Sequence, residues 1–246
     1  MTISSQPSEN FAGAPIYCAL DTVDIAKAIS LAKALVGTVG GMKLGLEFFS
    51  SNGADGFKSV AETGMPIFLD LKFHDIPNTV AGAIRAVAPL GPKMLTIHTL
   101  GGPDMMRRAA DTAVEEALKL GKNKPSVIGV TMLTSMDDSD AAAIGVATSV
   151  QDQVVRLAEL AVKNGLDGIV CSPKEIALVR AVTPPNFKLV VPGIRPEGSA
   201  AGDQKRVMTP LAAREAGADI LVIGRPITQA ENPARAANEI AKTLDV

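Results

Sequence analysis

The chain has 246 residues, and its charges nearly cancel: 24 Lys and Arg against 26 Asp and Glu leave a formal net charge of −2. That balance excludes a broad basic field of the kind non-specific nucleic-acid binding needs, and it leaves room for a small anionic ligand held by a few local cations. With no Trp and one Tyr, base-stacking platforms are scarce and the core must come from aliphatic residues and Met.

The first 14 residues are polar, with no basic start and no apolar stretch. They read as a flexible tail rather than a signal peptide, ahead of one domain over 15–246. No apolar run reaches the roughly 18 residues a membrane span needs, so the expected location is cytoplasmic, with no membrane partner. Cys18 and Cys171 are too far apart in sequence to make a zinc pattern and read as small buried hydrophobes.

Eight short apolar runs mark strands at 16–21, 40–45, 66–71, 94–99, 126–133, 167–171, 188–194 and 219–224. Runs without polar alternation suit strands buried on both faces, as in a parallel sheet. After the first run, Ile25, Ala28, Ile29, Ala32, Leu35 and Val36 recur at spacings of three and four, which predicts a helix stopped near Gly37. Further helices are predicted over 54–63, 76–90, 104–120, 150–164, 173–182, 209–216 and 233–244, the first of them from the faintest pattern. Eight strand–helix units without a linker predict an α/β fold, a single-domain (β/α)8 TIM barrel; a doubly wound open sheet is the alternative.

Barrel active sites lie at the C-terminal ends of the strands. Polar residues occur at nearly every predicted end: Asp21, Lys43, Asp70 with Lys72, His98, Thr134, Arg195 and Arg225. Strand alternation would send Asp70 and Lys72 to one face, Asp75 follows in the loop, and Lys43 ends the neighbouring strand. An alternating Lys43, Asp70, Lys72, Asp75 array is expected. Gly193 and Gly224 end the last two strands, where barrels bind phosphate through backbone N–H groups, and Arg195 and Arg225 add guanidinium forks. The intervening segment EGSAAGDQKR (197–206) has the small polar composition of a lid. His74 and His98 have lysines among the nearby carboxylates, so no metal site is expected.

The segment DLKFHDIPNT (70–79) resembles the signature of the orotidine 5′-monophosphate decarboxylase family, with Leu71, Phe73 and His74 at variable positions. The resemblance extends in order through Asp21, Lys43, MLTSM with Thr134 and Ser135, VPGIRP (191–196), DQKR (203–206) and IGRPI (223–227). It implies decarboxylation of orotidine monophosphate to uridine monophosphate in pyrimidine synthesis, with Lys72 as proton donor and no cofactor. It further implies that Gln204 bridges base and phosphate, and that Asp21, Lys43 and Thr79 hold the ribose. It also implies a homodimer with shared sites, to which Asp75, Ile76 and Thr79 reach from the partner. Two alternatives remain open: a magnesium-dependent sugar-phosphate decarboxylase or aldolase of the same superfamily, and a non-catalytic phosphate-binding barrel.

Overall fold

The computed structural model describes residues 14–196 and 208–244. Its strands are β1 (Ala14–Ala19), β2 (Val39–Gly45), β3 (Ile67–Phe73), β4 (Met94–His98), β5 (Ser126–Val130), β6 (Gly168–Val170), β7 (Lys188–Val191) and β8 (Ile220–Ile223). Its α-helices are α1 (Ile25–Ala34), α2 (Leu46–Ala61), α3 (Pro77–Val87), α4 (Gly102–Leu120), α5 (Asp138–Ala143), α6 (Val150–Lys163), α7 (Ile176–Val182), α8 (Pro210–Glu215), α9 (Arg225–Thr228) and α10 (Pro233–Lys242). Every neighbouring strand pair is parallel, and β1 pairs with β8 through Ile16↔Leu221, which closes the barrel in sequence order. The open-sheet alternative is thereby set aside.

Strand parity sorts the core into two layers. Ile16, Cys18, Ile67, Leu69, Leu95, Ile97, Val127, Leu189, Val191, Leu221 and Ile223 face the surrounding helices. Tyr17, Ala19, Phe68, Met94, Ile128, Val190, Ile220 and Val222 pack inside the barrel. Burial on both faces is the reason the strands read as unbroken apolar runs. The interior centres on Tyr17, whose ring meets Phe68 edge-on at 6.2 Å. The tight fit explains Gly41: a Cβ there would lie 2.4 Å from the Tyr17 ring.

The structure corrects several predicted boundaries. β1 begins at Ala14, which is buried, two residues before the predicted run at 16–21; residues 1–13 lie outside the described residues. α2 runs over Leu46–Ala61 rather than 54–63, because Gly53 (φ 59°) breaks it into two pieces and only the second carries a legible pattern. α5 and α9 were not predicted; each is under two turns, too short for a helical period to register. β7 stops at Val191 because Pro192 has no N–H to continue the ladder and Gly193 turns at φ 77°. No described helix is long and apolar enough to cross a membrane.

The N-terminal ends of the strands are tied by two carboxylates. Asp167 accepts the Val127 N–H at 2.8 Å and both 2.7 Å bonds from Lys124. Asp219 accepts the Leu189 N–H at 2.7 Å and pairs with Arg180, whose guanidinium also donates to the carbonyls of Phe187 and Gly217. Each aspartate sits just before one strand and ties down a strand beside it.

Candidate active site

Inward-facing positions turn polar at the C-terminal ends of the strands, where apolar packing gives way to an open cavity of about 450 Å³. Its apolar floor is Ala19, Phe68, Val130, Val170, Val190 and Val222. Two sets of charged residues line the cavity above that floor.

The first is a relay of alternating charge. Lys43 Nζ lies 3.2 Å from Asp21 Oδ1 and 3.8 Å from Asp70 Oδ2. Lys72 Nζ donates to both oxygens of Asp70 at 2.9 Å. Asp70, with a side chain only 13% exposed, is thus flanked by two ammonium groups, whereas Asp21 at the outer end is 60% exposed. Burying a carboxylate this far is costly unless it is paired and hydrogen-bonded, and both lysines supply that pairing.

The expected array included Asp75; within the single chain Asp75 lies apart from Lys43, Asp70 and Lys72. β3 ends at Phe73, the backbone turns away into α3 at Pro77, and Asp75 is exposed, its Oδ1 accepting the Ile76 N–H at 2.7 Å. Asp21 is the further carboxylate that Lys43 meets within this chain. Lys72 reaches the same side as Asp70 by an irregular route. The β3–β4 register shifts between Leu69 and Phe73, and Lys72 alone among the described non-glycine residues has a positive φ, 51°. Such a conformation costs on the order of 1–3 kcal/mol and persists only where its surroundings impose it.

The second group is cationic. Gly193, Arg195, Gly224 and Arg225, from the adjacent ends of β7 and β8, all line the cavity. Burial, together with the nearby Arg225 charge, holds the Arg195 guanidinium below its ordinary value. Both guanidinium groups line the same cavity, and their planar forks match phosphate oxygens. The base of the intervening segment is fixed: Ile194 bridges to Met208, and the Arg195 N–H donates to the Met208 carbonyl at 3.0 Å. Gln204 lies outside the described residues.

Thr134 lines the cavity; Ser135, its neighbour, is exposed and does not. Ile76, 67% exposed, and Thr79 also lie away from it in this chain. His98 is buried behind the relay and stacked on His74 with ring centroids 5.2 Å apart. Burial first, then the proximity of His74 and Lys72, pushes His98 down to about 4, which leaves it neutral at pH 7. Among the described residues, no three His, Cys, Asp or Glu side chains converge as metal ligands would.

The sequence missed Gln229, Met132 and Pro192 among the lining residues. Gln229 caps the unpredicted α9 four residues after Arg225, its N–H donating to the Arg225 carbonyl at 3.0 Å. Met132 and Pro192 carry no polar signal and were absorbed into the predicted strands.

Residues 14–240 match the orotidine 5'-phosphate decarboxylase / HUMPS family. Proteins named orotidine 5'-phosphate decarboxylase from Paramagnetospirillum magneticum and Rhodospirillum rubrum are 56% and 55% identical to the chain. The first match covers 94% of this chain and 98% of the relative, and the second covers 92% of each. The crystal structure of orotidine 5'-phosphate decarboxylase from Lactobacillus acidophilus superposes with a TM-score of 0.82 at 35% identity, covering 95% of this chain and all of that one. With a closed barrel, a lysine–aspartate relay and a paired-arginine pole in one cavity, and likeness along nearly its whole length, the chain belongs to the orotidine 5'-phosphate decarboxylase / HUMPS family.

Proposed function

We propose that the protein decarboxylates orotidine 5′-monophosphate to uridine 5′-monophosphate and carbon dioxide, without a metal or organic cofactor, as the last step of de novo uridine monophosphate synthesis. The observation that carries this reading is Asp70 clasped between Lys43 and Lys72 in a cavity that Arg195 and Arg225 also line. The names of the curated relatives point to the same substrate.

The phosphate binds at Gly193, Arg195, Gly224 and Arg225, the base at Thr134, and the ribose at Asp21 and Lys43; Ser135 joins the base only if the loop after β5 brings it inward. Gln204 spans base and phosphate. The substrate carboxylate then lies against Asp70. Two like charges at about 4 Å repel by roughly 4 kcal/mol at an effective dielectric of ~20, and the repulsion vanishes as neutral carbon dioxide departs. When the bond from C6 to the carboxylate breaks, its electron pair stays on C6. The Lys72 ammonium stabilises that charge in advance of any reorganisation and then donates its proton to C6; the neutral amine recovers a proton from solvent. Binding energy from the remote phosphate holds the reacting carbon against the relay.

The exposure of Asp75, Ile76 and Thr79 supports a homodimer in which these residues complete the partner's site. A cytoplasmic location fits a biosynthetic enzyme of this kind.

Magnesium-dependent chemistry on a sugar phosphate is disfavoured by the donor set, because Lys43 stands between Asp21 and Asp70 where a cation would have to sit. The test is the fall in ultraviolet absorbance as orotidine monophosphate is consumed, by protein dialysed against EDTA. Undiminished turnover is expected. Loss of turnover that magnesium restores would refute the cofactor-free reading, and binding of uridine monophosphate with no turnover would reduce the protein to a phosphate-binding barrel.

A further inference from the structure

β3 and β4 pair regularly at Leu69↔Leu95 and again at Phe73↔Ile97, so four steps along β3 run against two along β4. The surplus falls on the stretch that carries Asp70 and Lys72. An interrupted ladder leaves backbone groups without their usual partners. The fully buried hydroxyl of Thr96, the residue of β4 that faces the surplus, fills the gap. It accepts the Lys72 backbone N–H at 2.8 Å and donates its own proton to Asp70 Oδ1 at 2.9 Å. A hydroxyl has one proton, so the two bonds fix its orientation, and a β-branched side chain holds χ1 stiffly.

We propose that Thr96 is the positioning residue of the Asp70–Lys72 pair. One hydroxyl fixes both the left-handed backbone from which Lys72 springs and the plane of the carboxylate that Lys72 faces. Thr96 does not line the cavity and acts only through these two neighbours. The inference rests on Lys72 being the proton donor of the proposed decarboxylation. Misplacing a reacting group by about 1 Å can cost on the order of 10²-fold in rate.

The experiment compares Thr96→Val, which keeps the shape and removes the hydroxyl, with Thr96→Ser, which keeps the hydroxyl, and with Lys72→Ala. For Thr96→Val we expect kcat on orotidine monophosphate to fall about 10²-fold, equivalent to about 2.7 kcal/mol, with KM and the affinity for uridine monophosphate within ~3-fold of the parent. Thr96→Ser should stay within ~5-fold in kcat. Should Thr96→Val fail to fold, Thr96→Cys carries the same expectation, since a thiol is a poor hydrogen-bonding substitute. A near-normal kcat without the hydroxyl, or a loss in Thr96→Ser as large as in Thr96→Val, overturns the assignment while Lys72→Ala remains inactive. Near-normal turnover by Lys72→Ala overturns the functional reading itself.

Discussion

Both rims of the barrel carry buried or half-buried ion pairs, but the two sets bond to different things. At the N-terminal rim, Asp167 and Asp219 each take one backbone N–H of another strand as well as a cationic side chain. Their charges are spent on holding strands together. At the C-terminal rim, Asp21, Lys43, Asp70 and Lys72 bond mainly to one another and face a cavity. Beside it the backbone at Lys72 is strained, and burial, with His74 and Lys72 nearby, pushes His98 far from its ordinary titration. Similar residue types thus serve stability where they meet the ladder and chemistry where they meet open space.

The contrast is tested most sharply by Lys72→Ala. Truncating a rim side chain that is a third exposed costs little packing, and Asp70 keeps Lys43 and Thr96 as partners, yet the proposed proton donor has no substitute. Turnover should fall at least ~10³-fold while the melting temperature is preserved. A normal rate would erase the functional half of the contrast. The same variant probes whether the catalytic rim is shared. Mixed with Asp75→Ala under conditions that exchange subunits, half the dimers would be mixed and half their sites whole, so about 25% of normal activity should return. No recovery after verified exchange would return Asp75 to its own chain.

Arg225→Ala should weaken binding of uridine monophosphate by roughly 10–100-fold, the worth of a charge-assisted hydrogen bond, and leave uridine nearly unaffected. Equal losses for both ligands would move Arg225 out of the phosphate site.

The next effect is on stability. His98 is neutral in the fold down to about pH 4, whereas an unfolded histidine gains its proton near 6.5. Below 6.5 the unfolded chain therefore binds more protons. Stability is unaffected by this group above 6.5, falls as the pH drops toward 4, and levels off below, by on the order of 3 kcal/mol in all. Denaturant midpoints at pH 7 and 4.5 should separate more for the parent protein than for His98→Asn. An equal separation would show that the acid sensitivity comes from elsewhere.

Smallest of all in its effect on activity, Asp219→Ala should cost about 1–3 kcal/mol of stability by stranding the Leu189 N–H and Arg180, yet leave kcat per folded molecule unchanged within ~2-fold. A large kcat loss would show that the N-terminal rim is coupled to the chemistry and that the two rims are not separable.

Much of this was legible in the residues alone. Both-face burial made the strands continuous apolar runs, so the count of eight, the barrel and the rim positions of Lys43, Asp70, Lys72, Arg195 and Arg225 could be read from one-dimensional pattern. What only the tertiary structure decided depends on contacts between distant segments. Simple alternation does place Asp70 and Lys72 together, but the fold achieves it through a register shift and a left-handed Lys72 that no local pattern encodes. Asp21 meets Lys43 because β1 ends beside β2 across the sheet, while the chain after β3 turns outward at Pro77 and leaves Asp75 exposed. Thr96 looked like one more β-branched strand residue, and Gln229 belonged to a turn too short to show a period; each acquired its place from residues far away in sequence or from a helix that only packing against the barrel reveals.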